Sequence, residues 1–132
     1  MLKKIIIIFY IDFDGTIQDN GYPEIGSLNE DCSEVLWKLY NLGFTLILNT
    51  YRADLENGSL ESALEFIKLH NLPIFNHNKI KIKPKRFNPT ANEIFIDDEA
   101  DNIPLKKSNK IYNKNVVCWL NVRKVLTDSS II

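Results

Sequence analysis

The chain has 132 residues, the size of one domain. It is 45% hydrophobic and 25% charged, and its formal net charge of -1 excludes any overall electrostatic pull toward nucleic acid or membrane. Cys32 and Cys118 sit in no CxxC or Cys/His pattern, so they read as reduced core or near-core residues rather than a disulfide or a metal site.

The first element is a strand over about residues 4–11. Met1-Leu2-Lys3-Lys4 followed by Ile5 to Ile11 superficially resembles a secretory leader, but Asp12 and Asp14 follow at once and no small-residue cleavage site appears. Seven apolar residues also fall far short of the ~20 that span a bilayer. β-Branched residues dominate the run, as in a buried strand, so a cytoplasmic protein without a membrane partner is expected.

A loop over about 15–28 holds Gly15, Gly21, Pro23 and Gly26. A helix over about 29–42 follows, with Ser27 or Asn29 as its cap and Val35, Leu36, Leu39 and Leu42 as its apolar face. Gly43 ends it, and Phe44 to Leu48 form the second strand. A second loop carries Asn49-Thr50-Tyr51-Arg52. The next helix spans about 59–70, with Leu60, Ala63, Leu64 and Ile67 inward, and Pro73 closes it. Ile74-Phe75 reads as a short third strand, 77–92 as irregular and basic, Glu93 to Ile96 as the fourth strand, and Val116 to Trp119 as a last short one before a brief helix or tail.

Strands alternating with helices predict a single α/β domain over 1–132, a Rossmann-like three-layer sandwich around a parallel sheet. Ligands in such folds bind beyond the carboxyl ends of the strands. Three polar clusters fall there: Asp12/Asp14, Thr50/Arg52 and Asp97/Asp98. Neighbouring carboxylates repel unless a cation or proton offsets them, and a hard divalent ion such as magnesium suits oxygen ligands. A carboxylate can also attack phosphorus, with a second carboxyl as general acid and base. Gly15 permits close backbone approach to a phosphate, Thr50 offers a hydroxyl, and a cation from the Lys83–Arg86 region can stabilise phosphoryl charge.

These residues resemble the haloacid dehalogenase (HAD) superfamily of phosphotransferases. Its first motif, DxDGT after a hydrophobic strand, is matched by Asp12-Phe13-Asp14-Gly15-Thr16. The Ser or Thr ending strand two is matched by Thr50, and the acidic pair ending a later strand by Asp97-Asp98-Glu99. The chain looks most similar to small capless bacterial and phage HAD hydrolases, through Tyr22-Pro23-Glu24-Ile25-Gly26 and the hydrophobic-Asn-Thr-Tyr-Arg stretch, and its Asp-Asp-Glu-x-x-Asn-Ile run at 97–103 is similar to magnesium-dependent phosphatases. The resemblance implies a magnesium-dependent phosphomonoesterase that works through an aspartyl-phosphate on Asp12. Asp14 would be the general acid/base and bind metal through its carbonyl. Thr50 would bind the phosphoryl group, with Gly15, Asn49 and Arg52 around the substrate. Asp98 would be the direct acidic metal ligand and Asp97 its support. The superfamily's lysine falls to Lys85, with Lys83 and Arg86 as alternatives.

Neither loop is long enough for a folded cap, so the resemblance implies an open site. Such a site suits a nucleic-acid end, a phosphoprotein or a small ester, or is closed by a second copy in a homo-oligomer. A regulatory module that binds phosphate and metal without turnover is the alternative of another class. Lys79 to Arg86 reads first as a lysine-protected edge strand, and alternatively as a contact for a phosphate polymer. Arg52 either contacts substrate or pairs with Glu24 or Asp54. Tyr22 and Tyr51 can stack on a base, whereas Trp37 is assigned to packing.

Overall fold

In the computed structural model, residues 6–80 and 84–132 are described. Residues 81–83, with the candidate Lys83, lie outside that set. Four strands form a parallel sheet: β1 (Ile8–Ile11), β2 (Thr45–Asn49), β3 (Asn76–Asn78) and β4 (Glu93–Ile96). Their order is β3-β2-β1-β4, so β1 is central. Ile11 lies opposite Leu48 on one side and Ile96 on the other. That register brings the chain after β1, β2 and β4 to one rim. Phe9, Ile11, Leu48, Ile94 and Ile96 are wholly buried, as the uninterrupted apolar runs of an internal parallel strand require. Burying each such side chain contributes roughly 1.5–3 kcal/mol, which offsets the cost of crowding carboxylates at the rim.

Helices flank the sheet, giving the α/β architecture expected from the alternation of elements. α1 (Cys32–Asn41) turns Val35, Leu36 and Leu39 into the core. It stops where Gly43 takes φ 91, a left-handed conformation that glycine reaches without strain. Leu42 lies just past its end and is exposed, not part of the apolar face. Neither Ser27 nor Asn29 caps it: the residue before the first turn is Asp31, and Asn29 is spent elsewhere. A one-turn helix, α2 (Arg52–Leu55), precedes α3 (Ser59–Leu69), which buries Ala63, Phe66 and Ile67. Leu60 and Leu64 pack at the margin of the core.

Three elements differ from the expectation. β3 forms at polar Asn76–Asn78 rather than at Ile74-Phe75, because Ile74 turns into the core while Phe75 stays exposed. This edge strand ends before Lys79, and the edge strand expected over Lys79 to Arg86 falls in part on residues 81–83, outside the described residues. The last strand does not join the parallel sheet. β6 (Asn115–Val117) pairs antiparallel with β5 (Leu105–Lys107) in a separate hairpin, and Trp119 opens helix α4 (Trp119–Asp128). No helix among the described residues is long and apolar enough to cross a membrane.

Candidate functional site

The chain leaves β1 at Asp12 and β4 at Asp97-Asp98, on adjacent strands, so three carboxylates meet. One oxygen each from Asp12, Asp97 and Asp98 lies within 4.8 Å of the others. Thr16 ties the two sides together. Its hydroxyl donates to Asp12 Oδ2 at 3.4 Å and accepts from Asp98 N at 3.2 Å. Burial pushes the Asp12 carboxyl well above its usual range, and the charges of Asp97 and Asp98 add to the effect. Burial likewise raises Asp98, to about 6. Three crowded, hard oxygen donors, two of them resisting ionisation, fit a hard divalent cation. Asp12, Asp97 and Asp98 are the side chains that would hold it.

Asp14 points elsewhere. Its carboxylate receives Arg52 Nη2 at 2.7 Å and Nε at 2.9 Å, a two-pronged pair, and Gln18 Nε2 at 2.9 Å. Arg52 is 1% exposed. It therefore neither pairs with the side chains of Glu24 or Asp54 nor reaches out to a ligand; it holds Asp14. Gln18 also accepts from Asn20 N and Gly26 N, so one side chain fixes both Asp14 and the loop before α1.

Gly15 takes φ 70, and a Cβ there would collide with the Asp98 carboxylate. Its N–H donates to Asn20 O rather than facing a ligand, so its service to the site is to let Asp98 come close. Thr50 is fully buried below the rim, where its Oγ1 accepts from Arg52 N at 3.2 Å. Asn49 is buried beside it at the end of β2.

Above the carboxylates lies a cavity of about 370 Å³ that reaches Asp14 as well. Lys85 and Lys114 line it, together with Tyr22, Tyr51 and Glu99. Lys85 Nζ is 3.1 Å from Asp97 Oδ2. Arg86, the alternative to Lys85, faces away: it pairs with Asp101 at 3.8 Å beside a larger, shallower depression of about 720 Å³ that holds none of the three carboxylates.

Sequence reasoning missed four contributors. Thr16 lay inside a recognised motif but received no role, and Gln18 sits one helical turn's spacing beyond Asp14. Lys114 had no local signal, since the β5–β6 hairpin delivers it from 100 residues beyond Asp14. Trp119 was read as strand. Its indole N–H donates to Thr16 O at 2.8 Å, and Asn29 Nδ2 donates to the same oxygen at 2.9 Å and to Val117 O at 2.8 Å. Val117 N in turn donates to Gly15 O at 3.0 Å.

Fold and site together define an α/β protein with a carboxylate cluster at the carboxyl ends of adjacent parallel strands. No family model and no curated protein matches the chain. Among solved structures it is similar to a conserved protein from Bacteroides thetaiotaomicron, at 24% identity and a TM-score of 0.60, over 93% of this chain and 91% of that one. That likeness concerns the fold alone.

Proposed function

We propose that the chain is a HAD-type, magnesium-dependent phosphomonoesterase of the cytoplasm, with Asp12 as nucleophile. The observation that carries this reading is the meeting of Asp12, Asp97 and Asp98 at one rim, beside a second carboxyl, Asp14, that is held apart from them. A metal on the cluster would hold Asp12 ionised as the nucleophile, which leaves Asp14, on separate partners, for the proton transfers. A bound magnesium ion would shield the repulsion between Asp12 and an anionic phosphate. Asp12 Oδ would form a bond to phosphorus as the bond to the leaving oxygen breaks, and Asp14 would pass a proton to that oxygen. A water would then attack phosphorus, yield its proton to Asp14 and free Asp12. Lys85 would face the phosphoryl oxygens. Arg52 and Gln18 would fix the position of Asp14 through both half-reactions.

The test is phosphate release from an aryl phosphate with and without Mg²⁺. Turnover is expected only with the metal, and Asp12→Asn is expected to lower it by at least about 10³-fold, in line with losing a covalent nucleophile. A metal-independent rate, or an Asp12→Asn rate near that of the parent, rules the mechanism out. A phosphate that stays on Asp12 without release identifies the regulatory module instead.

A further inference from the structure

Tyr51 follows Thr50 at the end of β2 and lines the cavity that holds the acidic cluster. Its ring is 36% exposed. Among the described residues the ring has one aromatic partner, Tyr22, met at its edge with centroids 5.0 Å apart and planes at 64°. Tyr22 is already committed. The Arg52 guanidinium lies 5.0 Å from its ring centroid, and its hydroxyl accepts from Asn57 Nδ2 at 3.0 Å. Tyr51 makes no such commitment: among the described residues its hydroxyl has no hydrogen-bond partner. An aromatic ring braced at its edge, unspent in the core and beside the cavity of the acidic cluster is a platform for another planar ring.

We propose that Tyr51, braced by Tyr22, forms the leaving-group subsite and selects phosphomonoesters that carry a planar ring. This rests on the phosphomonoesterase reading above. The ring has two possible sources, a nucleobase or an aryl group, and both would stack on Tyr51 while the phosphate reaches Asp12.

Two matched pairs of esters separate the ring from the chemistry of the leaving oxygen. Adenosine 5′-monophosphate is compared with ribose 5-phosphate, and benzyl phosphate with cyclohexylmethyl phosphate; each pair shares a primary alcohol. A kcat/KM ratio of roughly tenfold or more is expected within at least one pair, in keeping with the usual strength of base–aromatic stacking. The first pair showing it names a nucleotide, the second an aryl ester. Tyr51→Ala and Tyr51→Leu should collapse the ratio toward one, and Tyr51→Phe should keep it. Turnover without a ring preference, or a preference that survives Tyr51→Leu, overturns the subsite and leaves the hydrolase reading standing. Failure to hydrolyse any of the four esters sinks the hydrolase reading and this inference with it.

Discussion

Arg52 and Asp14 are both buried, and each supplies the opposite charge that compensates the other for leaving water. Removing one member of such a pair strands the other, at a cost of about 3–5 kcal/mol. Arg52→Met should therefore destabilise the protein by that order in urea denaturation. Pairing it with Asp14→Asn should give back part of the loss, because the two sites share one interaction. Asp12 behaves in the opposite way. Its carboxylate is buried against two others of like charge, a stabilising arrangement only for a ligand. Asp12→Asn should raise the melting temperature of the metal-free protein while weakening the further rise that Mg²⁺ produces. A drop in melting temperature on this substitution would show that Asp12 serves the fold rather than the site. Nearby, burial and the Asp14 charge push the Tyr51 phenol up to about 12, so it stays neutral across any working pH and offers its ring rather than a charge.

At the scale of elements, the loop after β1 is held from outside its own strand. Thr16 O receives both Asn29 and Trp119, and Val117 reaches Gly15 O. The β5–β6 hairpin and the first turn of α4 thus set where Asp12 and Asp14 stand. Trp119→Phe keeps the ring and loses the donor. It should cost roughly 1–1.5 kcal/mol of stability, since Asn29 still satisfies Thr16 O, and should lower turnover by more than that loss of folded protein accounts for. Strand ends were legible in the sequence because an apolar run that stops at an aspartate announces both the strand and its rim; β1 and β4 are both of this kind. β3 was not, because an edge strand pairs through its backbone and Asn76–Asn78 carries no apolar pattern. Arg52 was visible as a charged residue in a motif, but its partner was not. The separation of 38 positions from Asp14 is closed by the register of β1 on β2. Lys114 was hidden for the same reason, arriving on a hairpin whose first strand, Leu105-Lys106-Lys107, carries no apolar pattern.

The whole molecule carries the strain of its acidic rim as a dependence on pH. In the folded chain Asp98 titrates near 6, against an ordinary 3.8, and Asp12 is raised in the same direction. A raised carboxyl value means that the folded state holds a proton the unfolded state has released. That contribution is full below about pH 4 and is lost as pH rises through about 6 and above. The melting temperature of the metal-free protein should accordingly fall across this interval. The gain from Mg²⁺ should be larger at pH 8 than at pH 4, where protons occupy the carboxyls. Equal gains at both values, read by calorimetry, would place the ion away from these residues.

The pairing of Asp14 with Arg52 has one more consequence, for the sequence of arrivals at the cavity. Because Arg52 is used up internally, its charge does nothing to attract an anion. Among the described residues that line the cavity, Asp12, Asp97, Asp98 and Glu99 then face Lys85 and Lys114. An incoming phosphate meets more carboxylates than cations, and one of the two lysines already leans on Asp97. The cavity must change the sign of its welcome before the anion can enter. Binding should therefore be ordered, cation first: titration with inorganic phosphate alone should give no heat, and the same titration after Mg²⁺ should.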